Sequence, residues 1–246
     1  MARSSWPVSR FALGAPTRRG AIVLAAIAAV ACAHGPRLPG SASWEAHRDA
    51  AKRAYAASRF DEAEAELRAA LAIAEGAGPR DPRIPVTLDA LGDVLLSEGR
   101  DDDAEASDRG SLAWRERELG ADHIDVTASL TRLVELDVWR GDYAEAGRLY
   151  ERVLAIREAR LGPNDPLVAV TLRNIARGKT VGGEYEEAER LYQRALAIEE
   201  SALGKEDVEV GWTLAGYAEL LRATGRTQEA SDAEARSQRI RERAAR

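Results

Sequence analysis

The chain is poor in the residues that build catalytic and metal sites. Its 246 residues include one cysteine, one methionine, two phenylalanines and three histidines. A single cysteine excludes an internal disulfide, and His34, His47 and His123 are too scattered to have the spacing of metal ligands. The short signatures of nucleotide-binding loops, zinc proteases and serine hydrolases are also missing. The sequence therefore predicts a protein that is not an enzyme and that has no metal site and no cofactor.

Aromatic residues make up only 5% of the chain, whereas apolar residues make up 45%. Alanine and leucine must therefore supply most of the packing surface. Alanine is the strongest helix former, and its small side chain lets neighbouring helices approach closely. No segment has the alternating pattern of a strand, so we predict an all-α fold.

The N-terminal segment has the form of a secretory signal. Arg18 and Arg19 precede an apolar run from Ala21 to Ala31, which is well short of the ~20 residues that span a bilayer as a helix. Residues 29–32 read AVAC and resemble the lipobox of bacterial lipoproteins, in which the cysteine is lipidated and becomes the new N-terminus. That family usually has leucine where this chain has alanine. We predict a signal peptide over 1–31, a lipid anchor on Cys32 and a tether over 32–43; export without lipidation, an uncleaved anchor and a cytosolic protein are the alternatives.

Charge is unevenly distributed along the chain. The first 37 residues contain five arginines and no acidic residue, yet the whole chain has a formal net charge of -6. The remainder is therefore strongly acidic. Such a body repels phosphate backbones, so we do not expect nucleic acid as a partner.

The sequence repeats itself with a period of 42 residues. Residues 143–158 (YAEAGRLYERVLAIRE) and 185–200 (YEEAERLYQRALAIEE) agree at 11 of 16 positions. The same frame aligns one alanine in each of five predicted second helices: Ala63, Ala104, Ala146, Ala188 and Ala230. A turn residue precedes each of these helices, namely Ser58, Gly99, Gly141, Gly183 and Gly225. Periods of this size are typical of solenoids, in which stacked helix pairs bury apolar faces that one pair cannot bury alone.

A first helix is predicted ahead of each turn. Its apolar residues recur at spacings of three and four, as in Leu88, Leu91 and Leu95, which places them on one helix face. The predicted helix starts lie 42 residues apart, at Asp81, His123, Asp165 and Asp207. Aspartate is a favoured helix cap, so His123 breaks the pattern.

These features resemble the tetratricopeptide-repeat family, in its kinesin-light-chain-like branch of 42-residue repeats. The resemblance rests on the pairs Leu119-Gly120, Leu161-Gly162 and Leu203-Gly204, on the segment TLRNIA at 171–176, and on two second helices that contain LAI. It covers roughly Trp44 to Arg243. It implies a right-handed α-solenoid of five helix-turn-helix repeats at about 44–80, 81–122, 123–164, 165–206 and 207–246.

In that family the first helices line a concave groove that binds a protein or peptide. The matching residues here are Asp89, Asp93, Glu135, Trp139, Arg173, Asn174, Arg177 and Arg222. The resemblance implies that the arginines bind carboxylates of the partner, which guanidinium groups match in a bidentate fashion. It also implies that the asparagine hydrogen-bonds the partner's backbone. Alternatively, these residues are ordinary solvated side chains, and the tryptophan packs against the neighbouring repeat.

Three further expectations concern the interior. Trp114 replaces an isoleucine-like residue of the frame and is expected in the core. Asp108 and Ser111 are polar where the family is usually apolar or small. Asp137 and Lys179 occupy the same position in successive repeats, and we expect them to form a partly buried ion pair between repeats.

Together these patterns predict a non-catalytic scaffold of the bacterial cell envelope, which holds a partner peptide or helix in its groove near the membrane. A secreted or periplasmic soluble protein is the alternative location. A dedicated assembly lipoprotein for outer-membrane, pilus or secretion machinery, or a signalling adaptor, is the alternative function.

Overall fold

The computed structural model describes residues 41–245, and the predicted signal peptide and Cys32 lie outside the described residues. The helix α1 begins at Ser41, inside the segment predicted as a tether. The helices of the described part are α1 Ser41–Ala56, α2 Phe60–Ala77, α3 Arg83–Ser97, α4 Asp101–Leu119, α5 Val126–Arg140, α6 Tyr143–Leu161, α7 Pro166–Val181, α8 Tyr185–Ala202, α9 Val208–Ala223 and α10 Thr227–Ala244. Between residues 41 and 245, no helix combines the length and the apolar character that a membrane span requires.

The helices pack as five consecutive pairs. Each odd-numbered helix packs against the even-numbered helix that follows it, and each pair then packs against the next pair along the chain. The prediction of an all-α solenoid of five helix-turn-helix repeats is confirmed for the described residues.

The turn inside each repeat has a left-handed residue. The backbone φ is 57° at Ser58 and 75° to 81° at Gly99, Gly141, Gly183 and Gly225. Glycine adopts this conformation without steric cost, whereas a residue with a side chain does not. Ser58 is the one non-glycine residue with positive φ in the described part of the chain, so the first repeat has a strained turn.

The starts of the first helices follow the aspartate pattern. Asp165 and Asp207 cap α7 and α9, and their carboxylates accept the backbone N–H groups of Leu167 and Glu209. In the third repeat, His123 Nδ1 accepts the backbone N–H of Asp125 at 3.2 Å. The imidazole nitrogen thus takes the place of a carboxylate oxygen, which explains why histidine is tolerated at this position.

The core consists of small clusters between neighbouring helices. Ala63, Ala104, Ala146, Ala188 and Ala230 are all buried, which lets paired helices cross closely. Trp114 is buried, as predicted, and its indole N–H donates to the Pro79 carbonyl at 2.9 Å.

The predicted ion pair between Asp137 and Lys179 does not form. The Lys179 ammonium instead contacts Glu184 at 2.8 Å and Glu187 at 3.3 Å, both just beyond the end of its own helix. Burial and the nearby carboxylates of Asp142, Glu145 and Glu105 raise the pKa of Asp137. The prediction was wrong because Glu184 and Glu187, which are close to Lys179 in sequence, pair with its ammonium group, and Asp137 of the preceding repeat does not.

Candidate partner-binding groove

The first helices of repeats 2 to 5 place equivalent side chains side by side. Because equivalent residues lie 42 apart, one row contains Asp93, Glu135, Arg177 and Glu219, which we call the charged row. Residues four positions later lie on the same face of each helix, one turn further on. This second row, which we call the edge row, contains Ser97, Trp139, Val181 and Ala223.

The two predicted acidic ligands of repeat 2 are already paired within the chain. Arg115 Nη2 contacts Asp89 Oδ2 at 2.6 Å, and Arg132 Nη1 contacts Asp93 Oδ1 at 2.7 Å. Arg132 also donates through Nε to Asp108 Oδ1 at 2.6 Å. The structure therefore gives Asp93 a role in holding repeats 2 and 3 together and Asp89 a role in holding the two helices of repeat 2 together, and their sequence positions indicated neither role.

The polar residues that depart from the family pattern belong to the same network. Asp108 is fully buried, and this burial raises its pKa to about 6 although Arg132 acts in the opposite direction. Ser111 is also fully buried; its hydroxyl donates to Asp89 and receives a hydrogen bond from Arg115. These departures form a polar interface between repeats.

Arg173 occupies an equivalent network in repeat 4. Its Nη1 contacts Glu209 Oε2 at 2.9 Å and lies 3.6 Å from Glu199 Oε1, and its side chain is only 17% exposed. Glu199 is fully buried, accepts a hydrogen bond from the Thr213 hydroxyl at 2.9 Å, and has a pKa that burial raises to about 7. The guanidinium predicted for a partner is therefore engaged inside the chain.

The pair in repeat 4 reverses the charges of the pair in repeat 2. Asp89 and Arg173 are equivalent in the 42-residue frame, and so are Arg115 and Glu199. The first helix thus carries the acid in repeat 2 and the base in repeat 4. Sequence analysis missed Glu199, although its signal was an acid at a position where repeats 2 and 3 have arginine.

Of the remaining predicted cations, only Arg177 is unpaired. Arg222 forms an ion pair with Glu234 of the following helix. Arg177 is exposed, and no ion pair or hydrogen bond of its side chain is recorded within residues 41–245; the same holds for the side chain of the half-buried Asn174. The predicted ligands therefore divide into residues that hold the solenoid together and residues that face outward without partners.

A tyrosine of the second helix lies close to this unpaired arginine. Burial raises the pKa of the Tyr150 phenol, and the carboxylate of Glu135 raises it further. The guanidinium groups of Arg177, Arg157 and Arg173 lower this pKa, so all four charges act on the phenol. Arg157 donates to the Thr171 hydroxyl at 2.7 Å and to the Leu167 carbonyl at 3.0 Å, and it has no recorded carboxylate partner in the described chain. Between repeats 3 and 4, Arg157 and Arg177 are thus guanidinium groups without a carboxylate contact among the described residues.

Glu135 stands in the charged row beside Arg177 but does not pair with it. Its side chain is exposed and makes no recorded ion pair among the described residues. Desolvation by the surrounding groove raises its pKa, whereas Arg132 lowers it.

Family models decide the relationship to known proteins. Two tetratricopeptide-repeat models match the chain, one over residues 125–179 and 181–243 and the other over residues 86–125. The chain belongs to the tetratricopeptide-repeat family. A comparison with curated proteins found no match.

Solved structures share the TPR fold of this chain. A Podosopora anserina protein described as a kinesin light chain with nearly identical TPR-like repeats is 21% identical, covers 85% of this chain and 99% of its own, and has a TM-score of 0.71. BtubC (BKLC) from P. vanneervenii is 20% identical, covers 83% of this chain and 82% of its own, and has a TM-score of 0.72. MamA is 15% identical, covers 82% of this chain and 94% of its own, and has a TM-score of 0.55. These similarities support the kinesin-light-chain-like form of the TPR fold.

The edge row of this TPR array exposes one large aromatic residue. Trp139 is 72% exposed, and Val181, its equivalent in the next repeat, is 55% exposed. The alternative that Trp139 packs against the neighbouring repeat is therefore excluded. Over the described residues, no group of three or more histidine, cysteine or acidic side chains is arranged to hold a metal ion.

Proposed function

We propose that this protein is a non-catalytic scaffold of the bacterial cell envelope, and that it binds an acidic segment of a partner protein in the groove at Arg177. TPR arrays are general protein–protein interaction scaffolds. The observation that carries the proposal is the exposed, unpaired guanidinium of Arg177 beside Asn174, on a face where Arg173 and Arg222 are already paired.

The charge balance of the groove favours a carboxylate over a cation at this point. Arg157 and Arg177 both lower the pKa of the Tyr150 phenol and have no carboxylate contact among the described residues; Glu135 raises that pKa, and Glu209 and the buried Glu199 contact only Arg173. A carboxylate placed there would form charge-assisted hydrogen bonds, which are about twice as strong as neutral ones. Asn174 would add a neutral donor and acceptor for the backbone of the bound segment.

The envelope location is proposed from the leader sequence. A lipid on Cys32 would tether the solenoid to a membrane through a short linker. Expression of the full-length chain and of its Cys32→Ser variant tests this location. We expect the wild type in the membrane fraction and the variant in the soluble fraction; equal distribution of the two would contradict lipid anchoring.

The groove is tested by crosslinking and pull-down from envelope fractions with Arg177→Glu. A charge reversal at Arg173 is unsuitable as a test, because a glutamate there would stand beside Glu199 and Glu209 and would damage the repeat interface. Arg239→Glu is the matched control, because Arg239 is an exposed arginine of α10 without a recorded ion pair in the described chain. Both variants should keep the helical circular dichroism of the wild type.

The expected result is a partner that the wild type and Arg239→Glu capture and Arg177→Glu does not. Capture of the same proteins by all three would show that the groove at Arg177 is not the binding site. The identity of a partner lost only with Arg177→Glu would name the process in which the scaffold acts.

A further inference from the structure

One position of the second helices carries a charged side chain in each of repeats 2 to 5. The residues at this position, which we call the second-helix row, are Arg115, Arg157, Glu199 and Arg241. The first helices of the same repeats carry a facing row, which consists of Asp89, Thr131, Arg173 and Ala215. In repeats 2 and 4 the members of the two rows contact each other as ion pairs.

Three members of the second-helix row make the same hydrogen bond to a buried hydroxyl of the next repeat. The hydroxyls are themselves equivalent in the 42-residue frame, and the pairs are Arg115 with Ser129 at 2.5 Å, Arg157 with Thr171 at 2.7 Å and Glu199 with Thr213 at 2.9 Å. The guanidinium of Arg157 is therefore held in the same layer of its repeat interface as the side chains of the two ion-paired members.

Arg157 is the member of this row that has no charged or aromatic partner within residues 41–245. The partners of the other members are Asp89 for Arg115 at 2.6 Å, Arg173 for Glu199 at 3.6 Å, and the ring of Trp212 for Arg241 at 4.8 Å from the ring centroid. In repeat 3 the facing residue is Thr131, whose hydroxyl donates to the Thr127 carbonyl of its own helix at 2.8 Å. The first helix of repeat 3 thus lacks the counter-ion that Asp89 provides in repeat 2.

The guanidinium of Arg157 is only partly satisfied by neutral groups. Its Nη1 donates to the Thr171 hydroxyl and to the Leu167 carbonyl, whereas its Nε is buried and has no hydrogen-bond partner. Burial lowers the pKa of Arg157, and Tyr150 and Asp165 raise it. Asp165 forms no recorded ion pair with it in the described chain, and its carboxylate caps α7 by accepting the Leu167 N–H at 2.8 Å. An anion that reached Arg157 would offset the cost of desolvating this cation.

The charges around the neighbouring phenol add up to a single positive charge. Arg157 and Arg177 lower the pKa of Tyr150, Glu135 raises it, and none of these three charged residues has a recorded ion pair among the described residues. Arg173 also acts on the phenol, but Glu209 contacts it at 2.9 Å. Two unpaired guanidinium groups and one unpaired carboxylate therefore leave a net charge of about one unit, which matches one carboxylate better than a doubly charged phosphate.

We propose that a carboxylate side chain of the bound segment supplies the missing counter-ion of Arg157. The carboxylate pairs with the half-buried guanidinium, receives a further hydrogen bond from the Tyr150 hydroxyl, and is attracted by the exposed Arg177. The inference rests on the proposed function and specifies it further: Arg157, which belongs to the second helix of repeat 3, fixes the acidic residue of the partner, and Thr131 keeps this arginine available because it carries no charge.

Two substitutions of Thr131 test this role without removing any contact of Arg157. Thr131→Asp gives repeat 3 the acid that repeat 2 has at Asp89, whereas Thr131→Asn has the same size and no charge; both lose the hydrogen bond to Thr127. The probes are twelve-residue peptides selected against the wild type from a random library displayed on phage. Peptides that lose affinity in Arg177→Glu but not in the Arg239→Glu control are synthesised, together with versions in which each acidic residue is replaced by its amide. Fluorescence anisotropy measures their affinities.

We expect Thr131→Asn to bind these peptides as the wild type does, and Thr131→Asp to bind them about 10- to 100-fold more weakly, as the loss of charge-assisted hydrogen bonds implies. Replacement of one acidic residue of the peptide by its amide should weaken binding to the wild type by a similar factor and have little effect on binding to Arg157→Gln, which is the coupling expected of two groups in contact. Without peptide, Thr131→Asp should melt about 2–4 °C above Thr131→Asn, because the new carboxylate pairs with Arg157.

Two results would overturn the inference and leave the proposed function intact. One is a set of peptides that depend on Arg177 yet bind Thr131→Asp as tightly as Thr131→Asn. The other is a Thr131→Asp variant that melts at or below the temperature of Thr131→Asn, which would show that Arg157 does not accept a carboxylate. If no selected peptide loses affinity in Arg177→Glu, the proposed function is wrong and the inference falls with it. If Thr131→Asp instead abolishes concentration-dependent self-association, the carboxylate belongs to a second copy of this chain and the inference is also wrong.

Discussion

Replacement of Gly216 by alanine separates the demands of the helix from those of packing. Gly216 lies within α9, where alanine is favoured over glycine by about 1 kcal/mol. A Cβ at this position would lie 2.7 Å from the Tyr192 hydroxyl oxygen and 3.0 and 3.1 Å from two carbons of its ring. Real Cβ atoms almost never make contacts below 3.0 Å, so the ring or the helix must move.

The tyrosine has little freedom to move. Tyr192 is fully buried, and burial raises its pKa to about 12. Its hydroxyl makes no hydrogen bond of normal geometry, although Thr180 lies near enough to lower that pKa. Overpacking of this kind costs about 1–3 kcal/mol, and three close atoms on a rigid ring favour the upper part of that range. After the helix gain is subtracted, we expect Gly216→Ala to lower the free energy of unfolding by about 1–2 kcal/mol.

Gly147 is the matched control, because it lies within α6 and a Cβ there would meet no atom within 4 Å. Gly147→Ala should stabilise the protein by about 0.5–1 kcal/mol. Urea unfolding followed by circular dichroism measures both changes. The reasoning is refuted if Gly216→Ala unfolds at the same urea concentration as the wild type or at a higher one. Addition of Tyr192→Phe to Gly216→Ala removes the closest atom and should recover part of the loss, which makes the clash itself measurable.

Three further predictions concern the polar residues of the solenoid. Burial raises the pKa of Glu199 to about 7 from 4.5, so the folded state binds a proton at this residue more tightly than the unfolded state, and stability should fall as pH rises from about 4.5 to 7. Glu199→Gln should stabilise the protein by about 2 kcal/mol at pH 8 and have little effect at pH 4, and the pH dependence of stability that remains should be the similar but smaller contribution of Asp108. Chemical unfolding at several pH values measures this dependence, and an unchanged pH slope would contradict the prediction. Arg132→Met leaves Asp108 buried without its partner and should lower the free energy of unfolding by about 3–5 kcal/mol, part of which Asp108→Leu in the same chain should restore. Urea unfolding measures this loss, and a loss no larger than that caused by replacing an exposed arginine would disprove this account. Ser58→Gly relieves a left-handed serine and should raise stability by about 0.5–1 kcal/mol in thermal melts, and a lower melting temperature would contradict the strain.

The repeat framework was predictable from the sequence because period and packing are directly linked. A turn residue every 42 positions and apolar residues at helical spacing dictate helix pairs that must stack, and the buried alanines occupy the predicted frame. The exposure of Trp139, in contrast, depended on which neighbour occupied the adjacent space, and the sequence left two alternatives open.

The ionic contacts of the site were much less predictable. Long charged side chains reach several candidate partners, and the choice depends on distances that the repeat frame does not contain. Lys179 illustrates this, since it turns toward Glu184, just beyond the end of its own helix, instead of toward Asp137. Arg173 shows the same limit in the groove, because Glu199 reaches it from the second helix and Glu209 from the next repeat. Frame-based reasoning found the positions of the groove but not which of its charges were free.

The reversed ion pairs of repeats 2 and 4 have a consequence for which first helix can pair with which second helix. Helices with similar apolar frames can pair with the wrong partner during folding, and misassembly is a characteristic failure of repeat proteins. A second helix carrying Glu199 cannot replace one carrying Arg115, because it would place a carboxylate against Asp89. The helices of the two repeats therefore differ in polarity although their apolar frames are alike. A chimera that exchanged only the second helices of repeats 2 and 4 would keep the apolar contacts but place Glu199 against Asp89 and Arg115 against Arg173.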